Sequence, residues 1–238
     1  MKDVSAKVTK VESINSTVYR AQLEVNDVQF IAGQYLMIAL PSGEKVPYSI
    51  GSAPHELPTL TLYILVAEEN SLAARVVEHL QQNDSVELKI PGGDANIDKV
   101  TLNPEAPLLL IAGGTGFAQM KSIYDDLMHK QYQGPVHFYW GLRTAADTFI
   151  MDWIENHESP ENFHVHVVVN EGSAAWVGRT GWLYEAVLED HTDLKDIHAF
   201  ISGSVGMVYG TLDQLEAKGI QESHCHSDVF AYAPRPKS

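Results

Sequence analysis

The chain has 238 residues, 45% of them hydrophobic and 20% charged, with a formal net charge of −15 and a single cysteine, Cys225. That length suits one large or two small domains around a proper core, and one cysteine excludes both an internal disulfide and a four-cysteine iron–sulfur centre. The acidic balance excludes attraction to nucleic acid or anionic membranes: residues 1–100 hold 8 Lys+Arg against 13 Asp+Glu, leaving −10 on the remainder. Small molecules and proteins are left as partners. No apolar run reaches the roughly eighteen residues of a membrane span. The opening MKDVSAKVTKVES has no apolar signal core, so a cytoplasmic protein is expected.

From Val4 to Ile90 the pattern is mostly period two. The segments AKVTKVESI, STVYRAQLEV, QYLMIAL, PTLTLYILVA and DSVELKI each read as strands, with Gly33 as a bulge or corner. Only Ser71–Leu80 looks helical, with Leu72, Val76, Val77 and Leu80 on one face and Asn70 or Ser71 as its cap. About six short strands and one helix suggest a small antiparallel barrel over residues 1–98. The polar, proline-rich segment Pro91–Pro107 reads as the link to a second domain, 105–238.

That second domain opens with APLLLIAGGTGFAQM, Ala106–Met120. The unbroken apolar run Leu108–Ala112 suits a strand buried on both faces of a parallel sheet. Gly113, Gly114 and Gly116 crowd around Thr115, and then Phe117, Met120, Ile123, Tyr124 and Leu127 recur at helical spacing. Strand, glycine turn and helix point unpaired backbone N–H groups at a phosphate, and the glycines let a dinucleotide approach the backbone. The same pattern alone also fits a tight turn between any buried strand and helix. PVHFYWG (strand), Ala145–His157 (helix), FHVHVVVN (strand), a glycine-rich loop, Gly181–Leu188 (helix), DIHAFISGS (strand), Val205–Lys218 (helix) and a last strand SHCHSDVF follow. This rhythm predicts a parallel sheet with helices on both faces and ligands at the carboxyl ends of its strands.

In this order, AGQYLMIAL (Ala32–Leu40), VPYSIGS (Val46–Ser52), IAGGTGFA (Ile111–Ala118), YWGLR (Tyr139–Arg143) and SDVFAY (Ser227–Tyr232) give the chain, over Ser5 to Tyr232, a resemblance to the ferredoxin-NADP reductase superfamily. Within it the chain resembles the bacterial NAD(P)H–flavin reductases, including those that supply reduced flavin to bacterial luciferase. The resemblance implies hydride transfer from NADH or NADPH to a dissociable flavin, FMN, FAD or riboflavin, with a flavin-dependent monooxygenase as a downstream acceptor.

It also implies a set of site residues. Pro47 fixes a strand exit, Tyr48 offers an aromatic face, and the Ser49 hydroxyl meets flavin N5, where hydride arrives. Tyr63 and Leu65 line the other side of the isoalloxazine. Gly113, Gly114, Gly116 and Phe117 belong to the cofactor loop, and Thr115 contacts the nicotinamide region. Trp140, Gly141 and Arg143 fall on the adenosine side, where Arg143 meets a 2′-phosphate or the pyrophosphate. Gly203, Ser204 and Met207 face the nicotinamide, and Asp228 and Phe230 complete the set. Ser49 and Thr115 act as orienting groups, with no dedicated general base. Plainer readings stand beside these: barrel packing for Tyr48, Tyr63 and Leu65, a turn for Ser49, and a solvated side chain for Arg143.

Two departures matter. Ser202 stands where many superfamily members carry a cysteine. Val46 stands where many carry an arginine for the flavin phosphate, and the adjacent Lys45 points to the opposite face of the strand. Weak holding of FMN and FAD is the expected result. No metal is expected at His164/His166 or His224/Cys225/His226, and Asp190–His191 has no Gly-x-Ser-x-Gly partner for a hydrolase triad. The tail APRPKS is expected to be disordered. Two rival functions remain: an electron-transfer reductase that keeps its flavin and serves a protein or ferric chelate, and a non-catalytic dinucleotide-binding module.

Overall fold

Alternation in the first hundred residues produces six antiparallel strands: β1 Lys2–Ser13, β2 Val18–Glu24, β3 Tyr35–Ala39, β4 Lys45–Ser49, β5 Thr59–Leu65 and β6 Ser85–Gly92, in the order β4-β3-β6-β1-β2-β5. The computed structural model describes residues 1–156, 160–172 and 176–235. Every second side chain turns inward, so that Leu23, Leu36, Ile38, Leu60 and Leu62 are fully enclosed in the barrel. Helix α1 (Leu72–Gln82) adds Val76, Val77 and Leu80 to that core, and Ser71 caps it by accepting a hydrogen bond from Ala74 N at 3.2 Å. Leu72, expected on the same face, is 40% exposed; the buried stripe begins only at Val76.

The second half forms a parallel sheet in the order β10-β9-β8-β7-β11-β12. Its strands are β7 Leu108–Gly113, β8 Val136–Thr144, β9 Phe163–Glu171, β10 Arg179–Thr180, β11 His198–Ser202 and β12 Cys225–His226. Helices α2 (Phe117–His129), α3 (Met151–Asn156), α4 (Leu183–Asp190), α5 (Val205–Glu216) and α6 (Val229–Tyr232) accompany them. As its unbroken apolar run requires, β7 is buried on both faces: Leu108, Leu110 and Ala112 pack with α2, Leu109 and Ile111 with α4 and α5. The strand order departs in opposite directions from β7, toward β8 on one side and β11 on the other. Such a switch point leaves a crevice at the carboxyl ends of the two strands.

Within the joining segment Pro91–Pro107, Ala95, Asn96 and Ile97 are at most 4% exposed, and Ile97 belongs to the core under α2. Three expectations need correction. The helix expected from Ala145 starts at Met151, after a single 3₁₀ turn and Ile150 at φ +59°; His157 lies outside the described residues. The last strand shrinks to Cys225–His226, after which backbone bonds from Phe230 N to Ser227 O and from Ala231 N to Asp228 O turn the chain into α6. In the tail, Arg235 pairs with Asp213 and Glu216 and lies over the Tyr209 ring, so order continues at least that far; 236–238 lie outside the described residues.

The sheet face under α4 carries a histidine network. Strand alternation puts His137, Tyr139, His164 and His166 on it together. His137 Nδ1 and His166 Nε2 are 3.1 Å apart, and the Tyr139 ring stacks on His166 at 4.4 Å. The Tyr139 hydroxyl donates to Asp190 Oδ2 at 2.8 Å, and Asp190 is paired with Arg179. His191 meets His137 edge-on, with centroids 4.7 Å apart. Burial pushes His137 down to about 3 and His166 to about 4, and lowers His191 too, while the Arg179 hydrogen bond holds Asp190 at about 2. Close as these side chains are, no group of three His, Cys, Asp or Glu among the described residues is arranged to hold a metal ion.

The unfolded chain therefore binds more protons than the folded one once pH falls below the ordinary histidine value near 6.5. Stability contributed by the neutral histidines is complete above that value and is lost as pH falls toward 4. Thermal midpoints should drop steadily between pH 7 and pH 5, and His137→Gln should flatten the slope. A pH-independent midpoint across that range, measured by circular dichroism, would contradict this account.

Candidate active site

Where the barrel meets the switch point of the parallel sheet lies a cavity of about 920 Å³, in the upper part of the range usual for small-molecule sites. One wall comes from the barrel: Tyr35 and Met37 on β3, Pro47, Tyr48 and Ser49 on β4, Tyr63 and Leu65 on β5. Antiparallel register explains the grouping, since Tyr35 stands opposite Ser49 and Met37 opposite Pro47. The facing wall is Gly113–Gly116 with Ala118 and Gln119, joined by Ser202, Gly203, Ser204 and Met207 after β11. Gly93, Asp94, Ser227, Asp228 and residues of α6 close the third side.

The three glycines of the turn do three different things. Gly114 has φ +54°, and a Cβ there would meet nothing within 4 Å: it would project into open space. Gly113 lies against Met207, whose side chain a Cβ would approach to 3.3 Å. Gly116 has no such room, because a Cβ would fall far inside van der Waals contact of the Ser202 carbonyl. Only Gly114 therefore offers its bare backbone to a ligand. Thr115 lies between them in a 3₁₀ turn and lines the cavity. Ser204 caps α5, its Oγ accepting from Met207 N at 3.3 Å.

Several expected contacts are made differently. Phe117 and Trp140 are wholly buried, with ring centroids 4.8 Å apart, and neither lines the cavity. Their side chains support the turn from behind: Trp140 Nε1 donates to Gly114 O at 2.9 Å. Gly141 faces Leu183, whose side chain a Cβ would meet at 3.0 Å. Arg143 is exposed and lies off the cavity lining, and Phe230 packs on Tyr209 at 5.7 Å, turned there by α6. The other expected residues, including Asp228, do line it. Sequence reasoning did not single out Tyr35, Met37, Gly93, Asp94, Gln119 or Tyr232 as site residues. Tyr35 and Tyr232 lie inside the quoted motifs AGQYLMIAL and SDVFAY, whereas Asp94 sits in the supposed link and carries no local signal.

Among the described residues that line the cavity there is no Lys, Arg or His, but there are two carboxylates, Asp94 and Asp228. Burial raises Asp228 to about 6, against the opposing effect of hydrogen bonds from Ala95 N at 3.3 Å and Gln119 Nε2 at 3.2 Å. Burial also pushes the Tyr48 hydroxyl up to about 12, so it stays protonated. Val46 is part of the barrel core at 9% exposure, and Lys45 is exposed on the opposite face; neither reaches the cavity. Aromatic walls, small hydroxyls and an open glycine backbone fit flat, largely neutral rings. They give little grip on a phosphate beyond backbone N–H groups.

Residues 110–213 match the family model of the oxidoreductase NAD-binding domain. Over nearly its whole length the chain is 33% identical to the NAD(P)H-flavin reductase of Vibrio harveyi, across 96% of this chain and 99% of that one. The chain belongs to the NAD(P)H-flavin reductase family. The Aliivibrio fischeri NAD(P)H-flavin reductase is 32% identical across 96% of this reductase and 99% of its own length. The fold is shared with a ferredoxin NADP+ reductase from Neisseria gonorrhoeae solved with bound FAD and NADP, at a TM-score of 0.80 and 18% identity, covering 96% of this chain and 99% of that one. The two-part architecture, an antiparallel barrel followed by a nucleotide-binding parallel sheet, is thus the one its motifs implied.

Two glycine variants of the reductase should separate ligand access from folding. Gly114→Val should fold, at a strain of about 1–2 kcal/mol for a left-handed valine. Its KM for NADH should rise on the order of tenfold or more, about 1.4 kcal/mol of binding. Gly116→Ala should instead lose thermal stability, because its methyl runs into Ser202. Unchanged NADH KM in a folded Gly114→Val would show that the turn is only structural.

Proposed function

We propose that this reductase oxidises NADH or NADPH and passes the hydride to a free flavin that it holds weakly and then releases. The chemistry is that of the bound partners, a hydride leaving nicotinamide C4 for flavin N5, and the chain's contribution is to position them and keep water out. On this reading Tyr35, Tyr48, Tyr63 and Leu65 hold the flavin ring, and the Ser49 hydroxyl donates a hydrogen bond toward N5. Gly114, Thr115, Gly203 and Met207 hold the nicotinamide. Ser204 and the amino ends of α2 and α5 face the anionic part of the dinucleotide with backbone N–H groups. Arg143 lies too far along β8 to line the cavity and is left for the adenosine end.

The observation that carries this reading is a single cavity with barrel aromatics on one side and the open Gly114 turn on the other. No general base is needed, and no lining residue other than the two carboxylates is placed to act as one. Weak flavin holding is supported by the lack of a lining cation among the described residues and by Val46 facing the barrel core. A missing charge-assisted phosphate contact should weaken FMN and FAD by about 1.5–3 kcal/mol relative to a site that has one. Riboflavin, with no phosphate, should lose little. A flavin-dependent monooxygenase would then consume the released reduced flavin.

Loss of NADH absorbance on adding riboflavin, FMN or FAD tests the activity directly, and riboflavin should bind at least as well as FMN. The purified protein should be nearly colourless after dialysis. A yellow protein that survives dialysis would point to the electron-transfer alternative, and binding of NADH without turnover to the non-catalytic one. Ser49→Ala should slow single-turnover reduction by about 5- to 150-fold at saturating ligands, the range for loss of one well-placed donor worth about 1–3 kcal/mol. Reduction at the wild-type rate in that variant would remove Ser49 from the mechanism.

A further inference from the structure

Gln119, on the first turn of α2, is 2% exposed, and its amide lies where three separate parts of the chain converge. Its Nε2 is 2.9 Å from Gly33 O in the barrel, 3.0 Å from Ala95 O in the joining segment and 3.2 Å from Asp228 Oδ2 ahead of α6. An amide NH2 has two hydrogens, so three acceptors oversubscribe it. The two carbonyls are nearer, and Asp228 receives the weakest share. Asp228 Oδ1 in turn accepts from Ala95 N at 3.3 Å. The barrel corner itself sits tightly on this point: Gly33 has φ +97°, and a Cβ there would lie 2.8 Å from Ala95 O.

We propose that Gln119 is a positioning residue whose amide ties the barrel, the joining segment and the Asp228 turn to α2, holding the two walls of the cavity at fixed spacing. The proposal rests on the flavin-reductase reading of that cavity. Hydride transfer demands reacting atoms within about 3–3.5 Å, so slack between the walls slows transfer more than it weakens binding. Asp228 makes the tie responsive to acid. Ionised, its two oxygens accept from Gln119 and from Ala95. Burial raises its pKa above that of a solvated carboxyl, so the closed arrangement binds the proton more tightly than an opened one and is favoured as pH falls. The charged and titratable groups around it are Asp94, held 3.5 Å from Lys99 Nζ, Tyr35 across Gly93, and Tyr232 on α6. Burial places the Asp228 transition near pH 6, with Asp94 adding to the upward shift.

Two measurements on the full chain test this, one of them independent of activity. Hydrogen exchange of residues 93–96, without ligand and corrected for intrinsic rates, should gain protection as pH falls from 7 to 5. In Gln119→Met, of similar length but without the N–H, protection at pH 7 should be lower by about tenfold, the scale of one hydrogen bond. Single-turnover reduction of riboflavin by NADH should slow about 10- to 100-fold in that variant, with the KM for NADH within threefold of wild type. Asp228→Asn, which cannot ionise, should lose the pH step in exchange while keeping the Gln119 bonds to Gly33 and Ala95, and so slow less.

Wild-type protection and wild-type hydride transfer in Gln119→Met would overturn the proposal. So would a raised KM with unchanged turnover, or a retained pH step in Asp228→Asn, which decides the matter if Gln119→Met fails to fold. If the wild-type chain reduces no flavin at all, the functional reading falls, and the exchange data alone judge the tie.

Discussion

At Gly116 the backbone following β7 lies so close to the Ser202 carbonyl that no side chain fits between them. The register of the sheet brings this about, since Ala112 pairs with Ser202 and the two strands end side by side. With the far end of the turn pinned against β11, the near end is forced outward at Gly114, whose positive φ leaves bare peptide facing the cavity. Trp140 then fixes that peptide from the other side through its indole N–H. The fully buried cluster of Phe117, Phe138 and Trp140 is accordingly part of the site's construction even though none of these rings touches the cavity.

The electrostatic character of the cavity follows from what surrounds it. In a chain of net charge −15 the cavity lining repeats the overall sign, with two carboxylates and no side-chain cation among its described residues. Positive potential there comes from peptide dipoles at the amino ends of α2 and α5, each equivalent to about half an elementary charge and effective over one turn. Such a site favours flat neutral surface over phosphate. Contacts of this kind are short-range and readily broken.

Much of this was legible in the sequence because it depends on local periodicity. The double burial of β7, the capped helix at Ser71 and the strand-turn-helix at Gly113–Phe117 all follow from which residues repeat at two, three or four positions. Motif order identified the family, and with it most of the cavity wall. What escaped depends on long-range packing. Asp94 and Gln119 look like ordinary polar surface positions, yet one lines the cavity and the other is buried by segments far away in sequence. Phe117 and Trp140 were placed at the site by motif, but motif proximity does not say on which side of a turn a ring falls. β10, with two residues, is too short to show a period at all.

The core under α2 does not respect the boundary between the halves. Val18, Ala32 and Tyr63 from the barrel, and Ile97 from the joining segment, are enclosed by the same cluster as Phe117, Ile123 and Phe138. A ribosome making this chain therefore releases the barrel before the helix that covers its apolar flank exists. Until residues up to about 140 have emerged, that flank has no mate and offers a sticky surface to other nascent chains or to holding chaperones. The barrel is completed in synthesis first but finished in folding only with its neighbour, so the two halves mature together.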